Sequence, residues 1–147
     1  MVLPLTRWHY CTLACCKPRI RQKANIGEWI AGTGSKRNVG NDKPIYAMEV
    51  TEKIPFEQYA NDKQFTSKIP SQGVIEERGD NTYYRNTDGN WIQRPSYHGK
   101  GNMAHDLSGR YVLISDHFFY FGRDAVAIPE GFIQLLKKGQ DTRVIHF

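Results

Sequence analysis

The residue types best suited to chemistry lie between Gly79 and His105. Gly79-Asp80-Asn81-Thr82-Tyr83-Tyr84 puts short polar side chains just before paired tyrosines, and Trp91, Tyr97, His98, His105 and Asp106 follow. A flat base can stack on Tyr84 or Trp91 while Asp80, Asn81 or His98 bonds its edge. The same pattern also fits core aromatics whose polar neighbours cap turns. His105 and Asp106 are adjacent in the chain, so they do not naturally face each other as an acid–base pair. For an enzyme acting on a nucleotide, His98, Asp80 and Cys16 are the first candidates for acid, base or nucleophile. No Ser/His/Asp order is present, and the catalytic assignment stays unknown.

Two further stretches suit anions. Gly32-Thr33-Gly34-Ser35-Lys36-Arg37 joins two strand-like segments. Gly34 lets backbone amides approach a phosphate, and Ser35, Lys36 and Arg37 can grip it. The full P-loop pattern is absent, and a strand rather than a helix follows, which excludes a dinucleotide fingerprint. Pro18-Arg19-Ile20-Arg21-Gln22-Lys23 is basic and alternating, so on a strand Arg19, Arg21 and Lys23 would share one face, with Lys17 extended before the proline. A solvated hairpin tip and a solvated charged face are the plain alternatives.

Three cysteines, Cys11, Cys15 and Cys16, crowd one segment. The odd count argues against a disulfide framework, and the spacing is not that of a structural zinc site. We expect no metal and no cofactor. Lys17 beside Cys16 can lower a thiol pKa, but small buried cysteines are the commoner case.

These residues must be held by a chain of 147 residues, a length that fits one domain over 1–147. Charged residues are 24% and aromatics 12%, a globular mix that favours strands. The net charge is +5, and residues 1–43 hold eight Lys and Arg against two acids. A polyanionic partner fits that balance. No apolar run reaches the ~20 residues of a membrane span, and the first ten residues have no signal-peptide core. A reducing, cytoplasmic setting is expected.

Ile26–Gly32 and Ile45–Thr51 are expected to pair as an antiparallel hairpin with a long tip. Pro55–Phe65 has helical spacing. Asp88-Gly89 between aromatic runs predicts a second hairpin, 82–85 with 90–93. Ser96–Leu107 is expected to be loop, 110–115 and 118–122 core strands, and Pro129–Leu136 a second short helix. Strands with two short helices and no regular βαβ alternation give an α+β fold on a mostly antiparallel, curled sheet.

Several blocks together resemble the nucleotide modification associated domain family, type two. They are Tyr10-Cys-Thr-Leu-Ala-Cys-Cys-Lys-Pro-Arg-Ile-Arg21, Ile26-Gly-Glu-Trp-Ile-Ala-Gly-Thr-Gly-Ser-Lys36 and Ile45-Tyr-Ala-Met-Glu-Val-Thr-Glu52, with Gly79-Asp-Asn81, Trp91-Ile-Gln93, Tyr111–Asp116 and Phe119-Tyr-Phe-Gly122. The resemblance runs from about residue 10 to 138, and the segment before Tyr10 reads as a shortened or divergent start. It implies a bacterial or phage protein of a DNA or nucleotide modification system, with a DNA-modifying enzyme as a partner. The progression from basic segment through Gly-rich loop also resembles, more remotely, PUA-like domains of the EVE and YTH branches, which implies a pseudo-barrel and a cleft for a modified base. On this reading the chain is a nucleic-acid or nucleotide binding module. Lys17, Arg19, Arg21, Gly34 and Arg37 would meet phosphate, and Ser35, Lys36, Asp80, Asn81, Tyr84, Trp91 and His98 would surround the base. An enzyme, or an interaction subunit of a modification complex, is the alternative.

Overall fold

The computed structural model describes residues 9–33, 43–70, 79–96, 99–121 and 142–145. The elements run β1 (Cys11–Leu13), α1 (Pro18–Lys23), β2 (Trp29–Thr33), β3 (Pro44–Glu49), β4 (Glu52–Pro55), α2 (Phe56–Asn61), a 3-10 helix (Lys63–Lys68), β5 (Tyr83–Arg85), β6 (Trp91–Gln93), a 3-10 turn (Lys100–Asn102), α3 (Met103–Leu107), β7 (Tyr111–Ser115), β8 (Phe118–Tyr120) and β9 (Thr142–Ile145). The strands form three small sheets, ordered β1-β7-β4, β8-β3-β2-β9 and β5-β6. The fold is α+β. Among the described residues there is no closed barrel and no single curled sheet, which corrects the pseudo-barrel expectation. The physical reason is local: most strands are three to five residues long, and β5 and β6 pair only with each other.

The chain divides into two compact units. One comprises Met1–Cys11, Ala24–Glu52 and Ile114–Phe147, and the other Thr12–Lys23 and Lys53–Leu113. Neither is a continuous stretch, so no linker composition marks the division.

In the first unit, β2 pairs antiparallel with β3 in the register Trp29↔Glu49, Ile30↔Met48 and Ala31↔Ala47. Strand alternation then decides what is covered. Ile30 and Met48 share a face and are fully buried, whereas Trp29, Ala31, Ala47 and Glu49 lie on the half-exposed face. Asn25–Gly27 supplies the expected turn: Gly27 has φ +91°, and its N–H donates to the Val50 carbonyl at 2.8 Å. Gly32 lies under the Tyr46 ring, and a Cβ there would collide with it. The close approach requires glycine.

The second unit is built around α2. Phe56 and Tyr59, three apart and so on one helix face, are buried with Phe65 of the 3-10 helix. Tyr59 and Phe65 have ring centroids 4.8 Å apart, and Phe56 meets Tyr83 edge-on at 6.0 Å. Val112 and Leu113 of β7 and Ala14 are also fully covered. Each large side chain buried here contributes roughly 1.5–3 kcal/mol.

The basic segment Pro18–Lys23 is a helix, not a strand. Pro18 takes the first helical position, where its missing N–H costs nothing. Lys17 is not extended: Cys16 (φ 59°) and Lys17 (φ 46°) both take the left-handed region. Such residues cost of order 1–3 kcal/mol each and persist only where neighbours enforce them. The enforcing groups are Asp106, whose carboxylate accepts the Cys16 N–H at 2.6 Å, and Arg21, whose Nε donates to the Cys16 carbonyl at 2.8 Å. The stretch 96–107, expected to be loop, contains α3, while β4, which follows β3, and β9, which pairs with β2, were not anticipated. The helix expected over Pro129–Leu136 lies outside the described residues.

Candidate nucleic-acid interface

The expected second hairpin forms, with Tyr83↔Gln93, Tyr84↔Ile92 and Arg85↔Trp91 as cross-strand partners. Gly89 (φ +81°) closes its turn, and the Asn86 side-chain oxygen accepts from the backbone N–H groups of Asp88 and Asn90. Since cross-strand partners share a face and neighbours alternate, Tyr84 and Trp91 stand on opposite faces of the hairpin. They cannot wall the same pocket. Each carries a guanidinium instead. Arg94 lies 4.4 Å over the Tyr84 ring, and Arg85 lies 4.5 Å over the Trp91 ring. Both cations are further held. Arg94 Nη1 donates to the Asn81 carbonyl at 3.1 Å, Arg85 Nη1 donates to the Gly89 carbonyl at 2.6 Å, and Arg85 Nε faces Glu57 Oε2 at 3.6 Å. Burial lowers the pKa of Arg94 from its ordinary value, opposed by Tyr84. Sequence reasoning missed both arginines. The available signal was their place, at the end of β5 for Arg85 and directly after β6 for Arg94.

Asp80 and Asn81 were expected at a base edge, but both are engaged with their own fold. Asp80 accepts from the Tyr59 hydroxyl at 2.7 Å, the Thr12 hydroxyl at 2.9 Å and the Ala14 N–H at 3.2 Å. Burial, then the Asp80 charge, pushes the Tyr59 phenol well up, so it stays a donor. Asn81 is 1% exposed, and its amide donates to the Tyr59 and Phe65 carbonyls at 3.2 and 3.5 Å.

Arg21, expected to meet phosphate, is fully buried. A helix turns 100° per residue, so Arg21 points about 200° away from Arg19, which is exposed together with Lys23 one turn on. Beyond its bond to Cys16, Arg21 donates to the carbonyls of Asp106 at 2.7 Å and Tyr111 at 3.0 Å, and it lies 5.1 Å over the Phe56 ring. Lys17 is half-buried. Gly34, Ser35, Lys36, Arg37 and His98 lie outside the described residues.

The cysteines separate by environment. Burial, then the nearby Asp80 and Asp106 carboxylates, pushes the Cys15 thiol far up, so it is no nucleophile at neutral pH. Cys16 is exposed. In the native protein at pH 8, Cys16 should react with Ellman's reagent while Cys15 reacts only on unfolding. Fast modification of Cys15, located by peptide mapping, would contradict this environment. Among the described residues no three His, Cys, Asp or Glu side chains converge as metal ligands do, and no helix is long and apolar enough to cross a membrane. An open depression of about 570 Å³ lies along α2, lined by Pro55, Glu57, Gln58, Asn61 and Asp62, and includes none of the expected site residues.

Charge divides sharply between the units. The second unit holds twelve Lys and Arg against seven Asp and Glu, and the first holds eight against eight. The whole net charge of +5 therefore belongs to the unit that carries the hairpin. The excess noted in residues 1–43 is a property of linear order, because residues 17–23 fold into the second unit and Lys43 into the first.

No curated protein and no solved structure matches the chain significantly. The family model described as nucleotide modification associated domain 2 matches residues 3–146, a longer span than the motifs quoted above, and the chain belongs to that family.

Proposed function

We propose that the chain is a nucleic-acid-binding module of a nucleotide modification system, acting through its basic second unit. The observation that carries this reading is the coincidence of the net charge of +5 with two arginine-on-ring stacks on one hairpin. A guanidinium already held over Tyr84 or Trp91 can present a face to a base and its N–H groups to a phosphate. Because carbonyls hold both arginines, little side-chain entropy is lost on contact. Arg19 and Lys23 on the exposed face of α1 add phosphate contacts. Lys36, Arg37 and Ser35 around Gly34 and a base-reading role for His98 remain part of the proposal. Preference for a modified base, and a DNA-modifying enzyme as partner, follow from the family context. The enzyme alternative is not favoured, since Asp80 is occupied by three donors.

The test is direct binding of fluorescent DNA oligonucleotides, with and without modified bases, at 50 and 200 mM salt. Affinity should fall steeply with salt. Arg94→Ala and Arg85→Ala should each weaken binding about fivefold or more, as loss of one stacked cation does. No binding to any oligonucleotide, or binding indifferent to salt, would defeat the reading.

A further inference from the structure

The first unit displays a cluster of rings that the sequence reading did not single out. Trp29 on β2 and Phe119 on β8 have centroids 6.0 Å apart and planes only 18° from parallel. His117 meets Trp29 edge-on, at 5.2 Å and 74°, and is tilted 58° against Phe119 at 5.9 Å. One strand, β3, separates Trp29 from Phe119 in the order β8-β3-β2, with Ala47 opposite Phe119 and Ala31 opposite Ala47. Those alanines leave the space through which the Phe119 ring reaches across the sheet. Phe119 is 42% exposed and His117 is exposed too.

The histidine is fixed rather than mobile on this surface. Its Nδ1 lies 2.8 Å from Glu49 Oε2, a carboxylate that can only accept, so Nδ1 carries the proton and Nε2 is left to address a ligand. The backbone below is pinned as well: the Ser115 hydroxyl donates to the His117 carbonyl at 2.6 Å and accepts its N–H at 3.1 Å, and Glu49 N–H donates to the same carbonyl at 3.1 Å.

We propose that this face is a second binding site, distinct from the hairpin, and that its ligand is a single heteroaromatic base. Near-parallel rings let a planar base extend the stack, and a held imidazole steeply inclined to both rings can meet the polar edge of that base. The charge balance sets the class. With eight cations against eight anions the first unit has no excess charge for a polyanion backbone, so the base itself supplies the affinity. A second copy of the chain is a poor occupant. Two partly exposed rings and one imidazole offer a few hundred Å² at most, against ~800 Å² per partner in a stable interface.

Titration of the whole protein with adenosine, guanosine, cytidine and thymidine by calorimetry, at 50 and 300 mM salt, tests this. At least one nucleoside should bind, with a dissociation constant that salt leaves unchanged. Phe119→Ala should weaken it about tenfold, and His117→Ala or Glu49→Gln should weaken it less. Arg94→Ala should leave nucleoside binding intact while weakening oligonucleotides, so the hairpin reading and this one fail separately. The proposal is overturned if no nucleoside binds, or if a folded Phe119→Ala and a folded His117→Ala both bind as the parent does. Concentration-dependent self-association lost in those same variants would assign the face to a second copy instead.

Discussion

Arg21→Met should destabilise the protein by about 3–5 kcal/mol, the usual cost of removing one partner from a buried charged network. The side chain is fully buried and serves three carbonyls, those of Cys16, Asp106 and Tyr111. Burial acts against its charge, and Asp106 is the main group that sustains it. Methionine fills much of the volume but leaves those carbonyls without their donor and the Asp106 carboxylate without its cation. The left-handed pair Cys16 and Lys17 also loses one of its two restraints. Arg21→Lys should rescue little, because a point charge cannot span three divergent acceptors. The fit around the guanidinium is close on its other side too, since a Cβ at Gly109 would lie 2.5 Å from Nη1. Urea denaturation checks the magnitude, and for a chain of this size the thermal midpoint should fall by roughly 10 °C. A loss under about 1 kcal/mol would mean that the network is not what holds α1. Adding Asp106→Asn should recover part of the loss, because the two residues act together.

This network also marks where the sequence stops being readable. The hairpin of β5 and β6 was legible, because Asp88-Gly89 between aromatic runs is a local signal that needs no tertiary partner. The pairing of β2 with β3, the strand β7 and the start of α2 were legible for the same reason. The segment 18–23 was not. Arg-Ile-Arg-Gln-Lys alternates like a strand, and only the carbonyls that Arg21 finds in Asp106 and Tyr111, 85 and 90 residues away, make the helix the better choice. β9 was invisible for a related reason: a four-residue strand far along the chain is defined by its register against β2. In the candidate site, the tyrosine and tryptophan were identified, but not that strand alternation puts them on opposite faces, nor that arginines cover them. Reading charge along the chain likewise misplaced it, because residues 17–23 belong to the second unit and Lys43 to the first.

Asp80 carries the second large expected effect, and it bears directly on whether the chain is an enzyme. Its carboxylate gathers a phenol, a hydroxyl and a backbone N–H from Tyr59, Thr12 and Ala14, joining α2 to the chain around β1 within the second unit. Hydrogen bonds to a charged group are worth about 1.5–3 kcal/mol, and each buried donor left unmade costs ~1–3 kcal/mol. Asp80→Ala strands Tyr59, whose ring is 1% exposed, and should destabilise the protein by about 3–5 kcal/mol. Asp80→Asn should cost less, near 1–2 kcal/mol, since one oxygen still accepts while the amide nitrogen opposes a donor. Denaturation of both variants gives the stabilities. The functional consequence comes from the folded Asp80→Asn protein at low temperature. Because Asp80 spends its acceptors on its own fold, that variant should bind oligonucleotides as the parent does, within about twofold. A variant that is stable yet has lost binding or turnover would instead make Asp80 a group that touches the ligand, and would revive the chemistry first suggested by Gly79-Asp80-Asn81.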